Sequence, residues 1–221
     1  MVLILLGPPG VGKGTQAVRL ADELDGAHVS TGDLLRAARR DGTPLGRKAQ
    51  SYMDAGELVP DELILDLVRE HLAGVAPDGA PHGPVLFDGF PRTTAQAEGL
   101  GSVLETLGRS VDLVVLFEAP DETLVKRLSG RRSCPDCGAV YNVHFNPPEV
   151  DGKCDRCGAA LVHRADDEPD TVTRRLEVYK EQTAPLVSFY ENGGAAFERI
   201  RADRPVDDVY ADFRALLGVT R

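Results

Sequence analysis

Three groups of residues in this 221-residue chain have the types and spacing to do chemistry. The first is Gly7-Pro8-Pro9-Gly10-Val11-Gly12-Lys13, which fits the first seven positions of the phosphate-binding loop pattern. Glycines let main-chain N–H groups curl around phosphate oxygens, the following helix adds its dipole, and Lys13 adds a full positive charge. The pattern then asks for a Ser or Thr whose hydroxyl ligates Mg²⁺. Here that position is Gly14, and Thr15 follows one residue late. The second group is two Cys-x-x-Cys knuckles, Cys134/Cys137 and Cys154/Cys157, separated by sixteen residues and each followed by a glycine. That spacing predicts a closed, tetrahedral four-thiolate site, structural rather than catalytic, with Zn²⁺ as the expected ion. Iron accepts the same ligands, and two disulfides or a redox pair would use the same residues. An insert of some thirty residues rarely holds its shape on apolar packing alone, so a metal has work to do there.

The third group is basic: Arg127, Arg131 and Arg132, then Arg174 and Arg175. Guanidinium forks suit phosphate. A helix running from Pro120 to about Arg131 would put Arg127 and Arg131 on one face, aimed into one cleft; the plain alternative is a solvated helix face. The net charge of −10 makes the chain a poor general binder of nucleic acid or anionic membrane. It counts against a zinc-ribbon nucleic-acid binder on an ATPase core, as does the lack of aromatics around Arg131, Arg132, Lys153 and Arg156.

These groups need elements to hold them. Residues 1–6 are continuously apolar and read as a buried parallel strand, with a helix from Lys13 to Leu24 beyond the loop. His28-Val29-Ser30, 85–87, 111–117 and 197–200 read as further strands. Helices are expected over 93–108, from Pro120 to about Arg131, from near Thr171 toward Asn192, and over 206–217. Alternating strands and helices imply a parallel sheet covered on both faces. Two stretches break the rhythm: a helical one at 30–72 and a small β-rich one at 133–167. A Gly/Pro/Ala-rich loop is expected at 73–84. No apolar run approaches the ~20 residues of a membrane span, and the N-terminal run has no basic leader. The expectation is a cytoplasmic protein with its cysteines reduced or metal-bound.

Gly7–Gln16, with its Lys-Gly-Thr-Gln ending, resembles the loop of the adenylate kinases. The resemblance extends through Ser30-Thr31-Gly32-Asp33-Leu34-Leu35-Arg36, Gly56–Asp61, Asp88-Gly89-Phe90-Pro91-Arg92-Thr93 with Gln96, the arginines 127, 131 and 132, and Arg164–Asp167 with Arg175. It covers residue 7 to about 190, and the four cysteines are similar to the long zinc-bearing lid of some bacterial members. It implies an α/β fold: a P-loop, doubly wound parallel-sheet core (1–29, 73–129 and 168–221), a helical AMP-binding insert (30–72) and a small zinc-bearing β lid (130–167).

What the resemblance implies about function is reversible phosphoryl transfer from Mg·ATP to AMP, giving two ADP, by a monomer with no nucleic-acid or membrane partner. Gly10, Val11, Gly12, Lys13, Gly14, Thr15, Arg127, Arg131, Val140, Tyr141 and Arg204 would contact ATP. Thr31, Arg36, Glu57, Leu58, Val59, Gly89, Arg92, Gln96, Arg164 and Arg175 would contact AMP. Lys13, Arg92, Arg127, Arg131, Arg164, Arg175 and Asp88 would do the catalytic work, Asp88 by holding the water shell of Mg²⁺. Asp166 and Asp167 would fix arginines as the lid closes. No general base is required, because the AMP phosphate is already an anionic nucleophile. Some readings stay open on the residues alone. Asp88-Gly89 suits a turn, Thr31 and Asp33 suit helix caps, and another nucleoside monophosphate could be the acceptor.

Overall fold

A computed structural model describes residues 1–75 and 83–219. The elements run β1 (Val2–Leu6), α1 (Lys13–Leu24), β2 (Ala27–Ser30), α2 (Thr31–Arg40), α3 (Pro44–Ala55), α4 (Asp61–Val75), β3 (Val85–Asp88), α5 (Thr94–Thr106), β4 (Leu113–Glu118), α6 (Asp121–Ser129), β5 (Arg131–Ser133), β6 (Val140–Asn142), α7 (Pro169–Val178), α8 (Leu186–Glu191), β7 (Ala196–Arg201) and α9 (Val206–Leu216). The strands β2-β3-β1-β4-β7 form one sheet, parallel throughout. β5 and β6 form a separate antiparallel pair.

All five residues of β1 are buried. Alternate side chains point to opposite faces of the sheet. Val2, Ile4 and Leu6 join one core with residues of α4, α5 and α8, whereas Leu3 and Leu5 join another with residues of α1, α6, α7 and α9. This double burial is why the strand reads as a continuous apolar run rather than an alternating one. The sheet register brings Ser30 and Leu5 beside Asp88. The P-loop, the start of α2 and the Asp88-Gly89 turn therefore share the C-terminal edge of the sheet, where α/β folds place ligands.

Several boundaries differ from expectation. α4 continues through Val75, so the loop expected from 73 begins later, and 76–82 lie outside the described residues. β4 starts at Leu113, and the helix expected from Thr171 starts at Pro169, an N1 position that suits proline. That helix also passes through a π-turn, Tyr179–Thr183, before Pro185. The correction that matters most is at α6, which stops at Ser129. Asn142 Nδ2 donates to the Arg127 carbonyl at 2.8 Å, closing the helix end. A side chain at Gly130 would meet His144 Cδ2 at 2.8 Å and Asn142 Oδ1 at 2.9 Å. The chain therefore turns into β5, and Arg127 and Arg131 do not share a helix face.

In the cysteine-bearing insert the two knuckles repeat one hydrogen-bond pattern. Cys134 N–H donates to Ala139 O and Gly138 N–H to Cys134 O; Cys154 N–H donates to Ala159 O and Gly158 N–H to Cys154 O. The insert and the α2–α3 hairpin touch: Arg40 Nη1 donates to the Pro135 carbonyl at 3.3 Å.

Candidate active site

The P-loop leaves β1 through Gly7, Gly10 and Gly12, all at positive φ (137°, 82° and 108°). A side chain at Gly10 would strike Leu128 Cγ at 2.7 Å, so glycine is required there both for φ and for space. Lys13 opens α1 and folds back over the loop, donating to Gly7 O at 2.8 Å and Pro8 O at 3.1 Å. Burial pulls its ammonium down to about 8; Asp88 opposes this, and Arg92, Arg175 and Arg131 add to it. Val11 is buried and Thr15 is exposed.

Asp88 closes β3 with its side chain 14% exposed, its Oδ2 3.4 Å from His28 Nε2. Burial pushes this carboxyl up, but the His28 hydrogen bond and Lys13 outweigh it and hold it below its ordinary value. Nothing in the sequence marks His28 as a site residue; only parallel pairing of β2 with β3 brings it there.

Arginines converge from four elements. Arg92 Nε donates to Gly89 O at 2.7 Å. Burial, aided by Arg175 and opposed by Asp88, lowers Arg92 to about 10. Arg164 Nε donates to Ser133 Oγ at 2.7 Å, and burial with Arg131 and Arg36 close by lowers it to about 9. Arg131 grips Asp167 with both Nε (2.7 Å) and Nη2 (2.5 Å). Against the pull of burial, that carboxylate raises Arg131 above its ordinary value. Arg175 Nη1 reaches Asp166 O (2.7 Å) and Asp167 Oδ1 (3.0 Å). Asp167 is fully buried. The expected pairing of these acids with arginines is present. Burial is the chief cause that lowers Arg92, Arg164 and Arg175, and neighbouring guanidiniums add to it: the positive charges crowd together around Asp166 and the buried Asp167.

Arg127 stands apart. Its Nη1 donates to Val11 O at 3.0 Å and its Nη2 to Ala202 O at 2.7 Å, with its guanidinium 5.9 Å from the Phe145 ring. It spans the P-loop and the loop after β7, while Arg131 faces Asp167. Arg204 lies on that same loop and pairs with Asp212. Val140 is exposed. Tyr141 is buried, its hydroxyl 3.6 Å from Cys154 Sγ and accepting from Asp155 N–H at 2.9 Å. Its side chain is committed to the cysteine cluster, which leaves only its main chain for a nucleotide.

Around the α2–α3 hairpin, Ser30 and not Thr31 caps α2, its Oγ accepting from Asp33 N–H. Thr31 is buried and donates to Gly89 O at 2.9 Å, binding the hairpin to the turn after β3. Arg36 Nη2 meets Asp33 Oδ1 at 2.6 Å. Glu57 pairs with Arg174 at 2.7 Å, and Leu58 and Val59 follow it in the strap before α4. Gln96 Nε2 donates to Asp61 Oδ1 at 2.7 Å while its Oε1 accepts from Arg92 N–H at 2.8 Å. In the sequence Asp61 reads only as a first-turn acid; nothing in the spacing pairs it with Gln96.

The four cysteine Sγ atoms lie within 4.8 Å of one another, and all four are free thiols. The pairs Cys134/Cys157 and Cys137/Cys154 sit at 3.4 Å. A tetrahedral zinc with Zn–S bonds of about 2.3 Å sets sulfurs about 3.8 Å apart. Four thiols gathered this closely fit such an ion.

Comparison with known proteins agrees with the geometry. The family model described as adenylate kinase matches residues 5–195. An adenylate kinase of Exiguobacterium sibiricum is 50% identical over 218 residues, covering 99% of both chains. Those of Geobacillus sp. (strain WCH70) and Lachnospira eligens are 49% and 48% identical over 218 residues, with 99% of this chain covered in each case.

Proposed function

Because the chain belongs to the adenylate kinase family and is an ATP:AMP phosphotransferase, we propose that its converging cations divide between two nucleotides. The reaction is reversible transfer of the terminal phosphoryl group of Mg·ATP to AMP, giving two ADP. In this reading the P-loop (Gly10 to Thr15) and Lys13 take the ATP phosphates. Arg127 and Arg204, with the main chain of Val140 and Tyr141, flank the rest of ATP. Thr31, Arg36, Gly89, Arg92 and Gln96, with the strap Glu57-Leu58-Val59, hold AMP. Arg131, Arg164 and Arg175 lie on the oxygens between them. The core is then 1–29, 73–129 and 168–221, with 30–72 as the AMP insert and 130–167 as the lid.

The observation that carries this is the convergence of buried cations from the core, the turn after β3 and the lid: burial lowers Lys13, Arg92, Arg164 and Arg175, and neighbouring arginines lower each of them further. Phosphoryl transfer asks for little more than in-line positioning and positive charge on the migrating oxygens. Mg²⁺ arrives with ATP and supplies further neutralisation; Asp88 is the carboxylate suited to its water shell. Main-chain carbonyls hold Lys13, Arg92 and Arg127 in the free protein. Neutral partners of that kind are exchanged for phosphate at lower cost than a carboxylate would be. Lid closure excludes water, which keeps ATP from hydrolysis.

Zn²⁺ on Cys134, Cys137, Cys154 and Cys157 would hold the lid's shape and take no part in transfer. All the named residues come from one chain, so a monomer suffices, and cysteines kept reduced for a metal suit the reducing cytoplasm. The test is a transfer assay with Mg·ATP against AMP, GMP, CMP and UMP. Fast formation of ADP from AMP alone is the expected result; preference for another acceptor overturns the base assignment.

A further inference from the structure

Gln96 is 2% exposed and its amide has no rotational choice. An ionised carboxylate can only accept a hydrogen bond and a main-chain N–H can only donate one. With Asp61 Oδ1 on one side and Arg92 N–H on the other, Nε2 must face the first and Oε1 the second. Turning the amide over would set oxygen against carboxylate and N–H against N–H. Asp61 is itself braced, because its Oδ2 accepts from Thr93 Oγ1 at 3.0 Å. Thr93 Oγ1 in turn accepts from the Gln96 main-chain N–H at 3.1 Å. The ring Asp61–Thr93–Gln96 ties the first residue of α4 to the first turn of α5.

Two of the four hydrogen-bonding positions of the amide are thereby used, leaving one N–H and one lone pair. A free amide edge of that kind matches adenine, which offers an N6–H donor beside a ring-nitrogen acceptor. Guanine carries O6 in place of the amino group. Against an amide whose orientation is fixed, O6 meets the Gln96 oxygen. An amide free to turn would accommodate either base.

We propose that Asp61 is a specificity-positioning residue: by fixing the orientation of the Gln96 amide, it makes the acceptor site read a 6-amino purine and refuse a 6-oxo purine. This rests on the reading of Gln96 as the base-facing residue. Asp61 touches no substrate and acts only through Gln96. A purely structural tie between α4 and α5 would slow both acceptors alike, whereas an orienting role changes their ratio.

The experiment measures kcat/KM of the full-length protein with Mg·ATP and either AMP or GMP, for wild type, Asp61→Asn, Asp61→Ala and Gln96→Ala. The Asp61→Asn substitution keeps the shape but introduces a side-chain N–H₂ that can face Gln96, so the orientation is held by Arg92 N–H alone. The AMP/GMP ratio is expected to fall about tenfold in Asp61→Asn and further in Asp61→Ala, the range a mispaired base edge commands. Equal losses on both acceptors overturn the proposal. Gln96→Ala separates the two readings. If it leaves the ratio unchanged, Gln96 does not face the base and both ideas fall. If it collapses the ratio while the Asp61 variants keep it, only the positioning role falls. Should neither Asp61 variant fold, the wild type still decides: the Arg92 main-chain N–H must show a through-hydrogen-bond NMR coupling to the Gln96 side-chain carbonyl carbon, and its absence sinks the proposal.

Discussion

The parallel sheet and the cysteine-bearing insert reach defined shapes by opposite routes. In the sheet, every residue of β1 is buried, and two apolar cores lie one on each face. In the insert, the buried group consists of Cys134, Tyr141 and Cys154. Ala139, Ala159 and Leu161 pack against it only partly buried, and the larger apolar side chains Val140, Val143, Phe145, Val150 and Val162 are exposed. A large domain can draw stability from area; a segment this small needs a cross-link or a metal. Arg131 and Arg164, two cations of the proposed reaction, stand on or beside the insert. In that reading part of the catalytic charge sits on an element whose small apolar cluster is separate from the two cores of the sheet, and such an element is expected to move or melt without unfolding the sheet.

That separation can be broken first by removing the metal. Structural zinc sites contribute on the order of 10 kcal/mol to the folding of small modules. Chelation should therefore abolish hydrogen-exchange protection over 131–163 while leaving β1 and β4 protected. Cys134→Ser should lower the melting temperature more than it lowers activity at moderate temperature. An unchanged melt in a protein purified without metal would refute the chelation account.

Lys13→Ala probes the other side of the comparison. Turnover should fall by about 10³-fold, as expected when a preorganised cation is lost, with the thermal melt nearly unmoved. Near-normal turnover would show that Lys13 is not in the phosphate site. Leu20→Ala cuts into the core at a residue with no exposure and should cost about 3 kcal/mol in global stability, measurable by denaturant titration. The protection of the insert should survive it while the metal is bound.

The smallest effect is a proton count. Lys13 is held at about 8 in the free protein against an ordinary 10.5. Its charged form is thus disfavoured by folding below pH about 8, and that penalty is relieved as pH rises through 8 toward 10.5. Bound phosphate restores the charge, so ATP binding at pH 8 should take up about half a proton through Lys13. Calorimetry in buffers of different ionisation enthalpy measures this, and Lys13→Met should remove it.

What was legible in the sequence was local. The P-loop and the paired cysteines are contiguous signals, and the double burial of the sheet is visible in the run of residues 1–6. The failures are contacts across distance. The Asn142 side chain, 15 residues on from Arg127 and beyond the first knuckle, and the crowding around Gly130 end α6. His28 meets Asp88 across 60 residues, and Asp61 meets Gln96 across 35. No periodicity in one chain carries those pairs. Only the family likeness pairs Asp166 and Asp167 with arginines, because spacing alone does not tell the buried Asp167 from a surface acid.

The space above Gly14 has a further implication. A β-carbon there would lie 2.9 Å from Asp88 Oδ2, the oxygen that also meets His28. The hydroxyl that the general loop pattern carries after its lysine and the carboxylate at the end of β3 therefore compete for one volume. A side chain at 14 must therefore push the Asp88 carboxylate aside, and Gly14→Ser is expected to loosen its contact with His28.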